Sequence, residues 1–487
     1  MRGIKAKNDY RLFAVFFVLC FLRYTLFGFR YYPILDDFIQ YDGYRMYNDL
    51  KYVYLGIGTI ATRPLASLLD PLFWGAMSKT ASLILITLMH FFSCVLFYKT
   101  AREFDVYLSP VFGVIYLFLP LNCESIFWLS ASTRVVTGLF FSSLGLYLLA
   151  KYIKTGSLTD IFGFWLFTLI SCGFYEASLA FSSSASLLLM IISRKRLKHK
   201  WVFTVPFING AVLLGVYSAL SGIGAMGSRA VGFSLSKLFT LEKLSEFFVQ
   251  LVKTLYNGTI VLTKNALVLG IKTLICGKFF PALVLSLIIM VSAGMFAVKK
   301  GSSQKTIGTL LFAVIMFFAP LFVSFLAEEM WITYRSLGFS VVALALIFDR
   351  LIAPIKSKTA ISLISFVLCI VFTVAMVGDF GVYKEVSETD ISLCTKIYES
   401  LDTEVKNGEK EVIAIFEKMP EKGENILYKD HIKSVTYADW SLTGGVRSAG
   451  KNVRVKMITP VLLGENFNGE NKQIIYIDKD LNVKGER

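Results

Sequence analysis

The sequence predicts a mainly α, polytopic membrane fold of about eleven transmembrane helices, followed by a small C-terminal α/β domain. Three observations predict it. Charged residues make up only 17% of the 487-residue chain, and the mean hydropathy is +0.61; a soluble domain is about a quarter charged. The apolar residues fall in blocks, many of them long enough to cross about 30 Å of hydrocarbon. The basic residues gather in short segments between the blocks, in the alternation that the positive-inside rule describes.

The first block, 11–28, follows Arg2, Lys5, Lys7 and Arg11. No small-x-small cleavage pattern follows Phe29, and the next stretch, RYYPILDDF, is bulky and aromatic. A retained first helix is therefore expected rather than a cleaved signal, with Arg23 its one costly residue. Further spans are expected at 81–98, 106–121, 134–152, 160–175, 176–193, 202–220, 280–298, 306–326, 337–353 and 359–378. With this count every basic cluster falls on the cytoplasmic side: the N-terminus, Lys99/Arg102, Lys151/Lys154, the RKRLKHK run at 194–200, Lys299/Lys300/Lys305 and Arg350/Lys356/Lys358. A single miscounted helix would put half of them outside. The expected location is a plasma membrane of bacterial type, with the N-terminus cytoplasmic and the C-terminal domain extracytoplasmic.

Residues 56–78 carry Arg63, Pro64, Asp70 and Pro71 and read as interfacial helices within a first external loop, 29–80. Residues 255–276 read as an interfacial or re-entrant segment within a second external loop, 221–279, because a crossing there would place the 299–305 cluster outside. The transmembrane unit is then 1–378 and the external domain 379–487. In that domain, 387–406 has helical spacing at Ile391, Cys394, Ile397 and Leu401. The stretches 411–417, 453–459 and 473–478 read as strands. The domain holds no nucleotide fingerprint, HExxH or GxSxG.

The net charge of +15 does not indicate a nucleic-acid partner. The tail from 379 is close to neutral, so the positive excess belongs to short loops of the membrane unit. The seven cysteines include no CxxC pair, which suggests neither a zinc site nor a disulfide framework. His90 lies within an apolar span and reads as a packing residue. Asn257-Gly-Thr has the pattern of a glycosylation sequon, meaningful only in a eukaryotic secretory host.

Four constellations lie on the expected outer side. The first is YPILDDFIQYDGY at 32–44, where Asp36 and Asp37 are adjacent acids, with Gln40 and Asp42 as accessories. Such a pair either acts as a base on a hydroxyl and helps hold a divalent cation, or is a solvated loop start with Asp36 capping a short helix. The second is PLNCESIFWLSASTR at 120–134, with Glu124, Trp128 and Arg134; the alternative there is an ordinary interfacial turn with Arg134 snorkelling. The third is Glu176 between two apolar runs, where a carboxylate needs a cavity, a partner or water. The fourth is LAEEMWITYRSLGFS at 326–340, where Arg335 suits phosphate, as Arg63 also does, or pairs with Glu328 and Glu329.

The layout resembles the GT-C class of membrane glycosyltransferases that use polyprenyl-phosphate sugars, including O-antigen glucosyltransferase-like proteins and relatives of protein mannosyltransferases. The resemblance rests on Leu35-Asp36-Asp37 after the first helix, the external turn Asn122 to Arg134, Tyr175-Glu176 opening a helix, and Tyr334-Arg335-Ser336 before a late helix. Some members have Lys where this chain has Tyr175. The resemblance implies an inverting transfer of a sugar from a polyprenyl-phosphate donor to a glycan, lipid or polymer acceptor. Asp36 or Asp37 would be the catalytic base. Arg63, Glu124, Glu176 and Arg335 would bind substrate. A divalent cation, Mg or Mn, with Asp37 as a ligand, is left open, since some relatives need a metal and others do not. A transporter or flippase for lipid-linked glycans, and a glycan polymerase or ligase, are the alternative readings.

Overall fold

The computed structural model describes residues 2–38, 59–222, 240–276, 306–326, 330–420, 431–450 and 454–484. The expected span at 280–298 and the side chains of Gln40, Asp42, Glu328 and Glu329 lie outside these residues. The described chain is mostly helical, with a small sheet near its C-terminus. Among the described residues, six helices are long and apolar enough to cross a membrane, or seven if one bent pair is taken as a span. Their length and composition suit a lipid bilayer.

Helix α1 (Arg2–Leu22) is followed, after a short helix at Pro64–Asp70, by α2 (Lys79–Glu103). Ser78 starts α2 by accepting the Ala81 N–H at 3.1 Å, an N-cap that satisfies one of the orphan donors. The expected span at 106–121 takes a different form. Helix α3 (Pro110–Phe118) stops before Pro120, and the chain restarts in a 3-10 turn and α4 (Cys123–Phe127), bent by 45°. Pro120 lacks the N–H that would continue α3. Helix α5 (Leu129–Thr155) ends where Gly156 adopts φ +69°, a left-handed C-cap. Helices α6 (Leu158–Cys172), α7 (Glu176–Ile192) and α8 (Val205–Gly222) follow.

Residues 255–276, expected as an interfacial or re-entrant segment, belong to a longer helical element. Helices α9 (Leu241–Tyr256) and α10 (Leu262–Cys276) join through a π turn at Asn257–Val261 into one helical run of 36 residues that is apolar enough to span. Helices α11 (Thr306–Phe318) and α12 (Ser340–Ile352) precede the longest element, α13 (Lys358–Ser400). With 43 residues it is about 64 Å long at 1.5 Å per residue, twice the hydrocarbon thickness. Residue 379, placed by sequence at the start of the soluble domain, therefore lies in mid-helix, and the helical spacing at 391–401 is the same helix continuing.

The C-terminal unit adds β1 (Glu411–Phe416), α14 (Asp439–Ala449), β2 (Ile458–Leu462), β3 (Lys472–Ile477) and β4 (Val483–Lys484). The strand order is β2-β1-β3-β4, with β1 parallel to both neighbours and β4 antiparallel to β3. The strand expected at 453–459 is displaced: Arg454 to Met457 are not in the sheet, and pairing begins at Ile458 opposite Val412. The alternation of VRVKMIT marks an extended chain but not which part of it finds a partner.

Two ends of the bundle can be told apart by contact. At one end Lys154 pairs with Glu103 at 2.7 Å and Tyr152 Oη meets His199 Nδ1 at 3.1 Å. There too Arg350 donates to the Tyr107 carbonyl at 2.8 Å, and Asp349 accepts from Ser109 N–H at 2.7 Å. Four of the six basic clusters thus have members or immediate neighbours at this one end. The α/β unit and the α3–α4 break sit at the other.

Candidate functional site

At the α/β end the acidic pair divides its work. Asp37 is fully buried. Its Oδ1 accepts the Ser130 N–H at 2.9 Å, in the first turn of α5, and its Oδ2 accepts the Ile34 N–H at 3.2 Å. Burial pushes its carboxyl up to about 7, against the pull of those two amide bonds. Asp36 turns the other way. Its Oδ2 lies 3.8 Å from Arg335 Nη1, and both side chains are about a third exposed (32% and 27%), so the pair meets water.

Arg335 is the centre of this arrangement. Its guanidinium carbon sits 4.8 Å above the Trp128 ring and 5.8 Å from the Trp331 ring, each within cation–π range. Its backbone N–H donates to Glu124 Oε2 at 3.1 Å. Glu124 is buried in α4, just past the Pro120 break. Its second oxygen, Oε1, lies 3.3 Å from His431 Nδ1. The other ring nitrogen of His431 lies 2.8 Å and 3.0 Å from the two oxygens of Asp379 on α13. Burial works to lower the imidazole's pKa, but Asp379 with Glu124 outweighs it and raises the group to about 9. Both nitrogens then act as donors, which is the imidazolium form.

Arg63 and Glu176, both expected to bind substrate, are found bound to each other. Arg63 Nε lies 3.0 Å and 3.1 Å from the Glu176 oxygens, and its guanidinium stacks 4.6 Å from the Tyr175 ring. Tyr175 thus faces the cation of Arg63. It stacks in turn on Phe339 at 6.0 Å, one helical turn beyond Arg335. Arg134 does not snorkel: it is buried and bound to Asp70 at 2.9 Å. Asp70 also accepts from Trp74 Nε1 at 3.2 Å. Arg23 is buried within the bundle, donating to the Leu117 carbonyl at 3.3 Å and packed against the rings of Tyr24, Phe118 and Phe127. His90 packs at 4.7 Å on Tyr116.

The structure therefore brings Asp36, Glu124 and Arg335 together, places Asp37 behind them, and assembles Arg63 and Glu176 as a separate ion pair joined through Tyr175 and Phe339. Sequence reasoning missed Asp379 and His431. Asp379 carried a usable signal, an acid closing an apolar run, which is the same signal that drew attention to Glu176. His431 carried none, since its partners lie 52 and 307 positions away.

Each Asp37 oxygen takes one amide N–H and keeps a second lone pair, in a fully buried position. Among the described residues no group of three His, Cys, Asp or Glu side chains is placed to hold a metal ion. An apolar cavity of about 540 Å³ lies between α2, α7, α11 and α12, lined by residues such as Phe97, Phe112, Leu189, Phe312 and Leu346. It holds none of the residues above, so the polar cluster and not this cavity is the candidate reaction centre. No protein-family model matches the chain, and no curated protein matches it in sequence.

Proposed function

We propose that the chain is a membrane glycosyltransferase that moves a sugar from a polyprenyl-phosphate donor to an extracytoplasmic glycan, lipid or polymer by inverting displacement. The observation that carries this reading is the water-exposed pair of Asp36 and Arg335, flanked by Trp128 and Trp331 at one end of an apolar helical bundle. Trp at a bundle end suits the headgroup level of a bilayer. A substrate with a lipid tail and a charged head presents its phosphate at that depth. Guanidinium is the preferred phosphate partner, and a phosphate arriving at Arg335 would replace the 3.8 Å contact with Asp36. The Asp36 carboxylate then turns from Arg335 to the acceptor hydroxyl, across the sugar from the leaving phosphate.

In the reaction, the acceptor oxygen bonds to the anomeric carbon on the face opposite the phosphate. The bond from that carbon to the phosphate oxygen breaks. The acceptor proton passes to the Asp36 carboxylate. The phosphate keeps the electron pair and leaves as polyprenyl phosphate, with its growing charge held by Arg335. No step runs through a metal ion. Asp37 holds the segment in place through the amides of Ser130 and Ile34. The donor's phosphodiester supplies the energy, so a nucleotide is not needed.

The test uses the full chain in proteoliposomes with a polyprenyl-phosphate sugar. Asp36→Asn should lower transfer on the order of a thousandfold, as expected when a general base is removed. Asp37→Asn should keep measurable transfer and lose about 1 kcal/mol of stability, because one amide bond is lost. Transfer that survives in Asp36→Asn overturns the assignment of the base. Movement of the lipid-linked sugar across the membrane with no new glycosidic bond favours a flippase instead.

A further inference from the structure

We infer that the C-terminal domain is part of the reaction centre: His431 is a positioning residue that sets Arg335 through Glu124. This rests on the glycosyltransferase reading and deepens it. The chain of contacts is short and has no slack. Glu124 has two oxygens and two partners, the Arg335 N–H at 3.1 Å and His431 Nδ1 at 3.3 Å. Without the imidazole, a buried carboxylate keeps its charge on one amide bond and must shift or find water. The amide it holds opens the 3-10 turn Arg335–Leu337, the root of the guanidinium.

His431 is itself fixed from several sides. Asp379 and Tyr383 of α13, Glu124 of α4 and Tyr334 face the imidazole, with ring centroids at 5.7 Å for Tyr383 and 5.3 Å for Tyr334. Cys123 lies beside Asp379. The segment after His431 is tied to the same helix three turns on. Asp390 accepts the Ser434 hydroxyl at 2.5 Å and the Val435 N–H at 2.9 Å. The two units also exchange apolar side chains: Ile432 is buried in the core of the bundle, and Phe38, next to the acidic pair, is buried in the core of the α/β unit. A domain that merely hung from the membrane unit would contribute no buried residue to it. Here the acidic pair and the arginine turn are each attached to the domain, Asp36 through Phe38 and Arg335 through Glu124 and His431.

The experiment reads two quantities on the full chain in detergent, for wild type, His431→Gln and Glu124→Gln. Hydrogen exchange of the 330–339 segment measures the Arg335 amide directly. It should be slow in wild type and faster in both variants, with the bulk of the protein unchanged. Steady-state transfer should show kcat in His431→Gln reduced on the order of ten- to a hundredfold, with donor KM changed far less, as expected for a misplaced transition-state ligand. In wild type, kcat should fall as pH rises through about 9, and Asp379→Asn should bring that fall to lower pH. Unchanged exchange at Arg335 in His431→Gln overturns the inference whatever the activity. Faster exchange with unchanged kcat overturns the catalytic part of it. A wild-type chain that exchanges as described but transfers no sugar overturns the glycosyltransferase reading while leaving the link from His431 to Arg335 standing.

Discussion

At the scale of single residues, buried charge decides what this protein tolerates. Arg134 with Asp70, and His431 between Asp379 and Glu124, are charges removed from water and matched by partners at 2.8–3.3 Å. Desolvation makes each partner necessary to the other. The imidazole of His431 has the clearest consequence for pH. Its pKa in the fold is about 9 against an ordinary 6.5. A group raised above its unfolded value contributes its full stability below about pH 6.5 and loses it as pH rises through about 9. The thermal midpoint of wild type in detergent should therefore decline across that window, while that of His431→Gln stays flat. A flat wild-type curve would mean the imidazole is not held as an imidazolium. Asp37 illustrates the limit of reading from sequence at this scale. The adjacent acids look equivalent in RYYPILDDF, and only the direction of the backbone after Pro33 sends one to α5 and the other to Arg335.

At the scale of elements, the position of α13 controls the site because it carries Asp379. Its placement is set by a close crossing with α10. A Cβ on Gly378 would lie 2.0 Å from the Ala266 carbonyl oxygen, and one on Gly270 would lie 2.0 Å from that of Val374. Small residues let two backbones approach this way where lipid tails offer no hydrophobic drive for association. Because the obstacle is backbone, no rotamer change relieves it. Gly378→Val should destabilise the protein by about 3 kcal/mol or more and displace Asp379 from His431, seen as a lower thermal midpoint and a loss of transfer. Gly210→Ala, with nothing within 4 Å of the new methyl, should leave the midpoint unchanged or slightly higher. Equal effects of the two would mean the crossing is looser than its distances imply.

At the scale of the whole molecule, sidedness is the feature that sequence and structure approach from different directions. The positive-inside pattern groups Lys99/Arg102, Lys151/Lys154, the 194–200 run and Arg350. Independently of any membrane, contacts draw Glu103, Lys154, His199, Asp349 and Arg350 to one end of the bundle. The expectation is that cysteines introduced by Lys154→Cys and Tyr437→Cys, in a chain whose exposed Cys276 is replaced by Ser, react with an impermeant maleimide from opposite sides of the membrane. Labelling of both from the same side would sink the topology, and with it the placement of the site at the outer interface.

The apolar blocks, their basic boundaries and the presence of a small α/β tail were determined by composition and periodicity alone, because hydrophobic length and charge at a helix end act locally. The same local rules singled out Asp36, Glu124 and Arg335 as costly or exposed charges at the ends of apolar runs. Tertiary structure alone decided the rest: that Pro120 breaks a span beside Glu124, that 241–276 runs as one helical stretch, that α13 passes unbroken into the tail, and that His431 closes the chain of charges to Arg335. Each of these depends on a partner distant in sequence, and desolvation of a buried charge has no meaning until that partner has been brought within hydrogen-bonding distance.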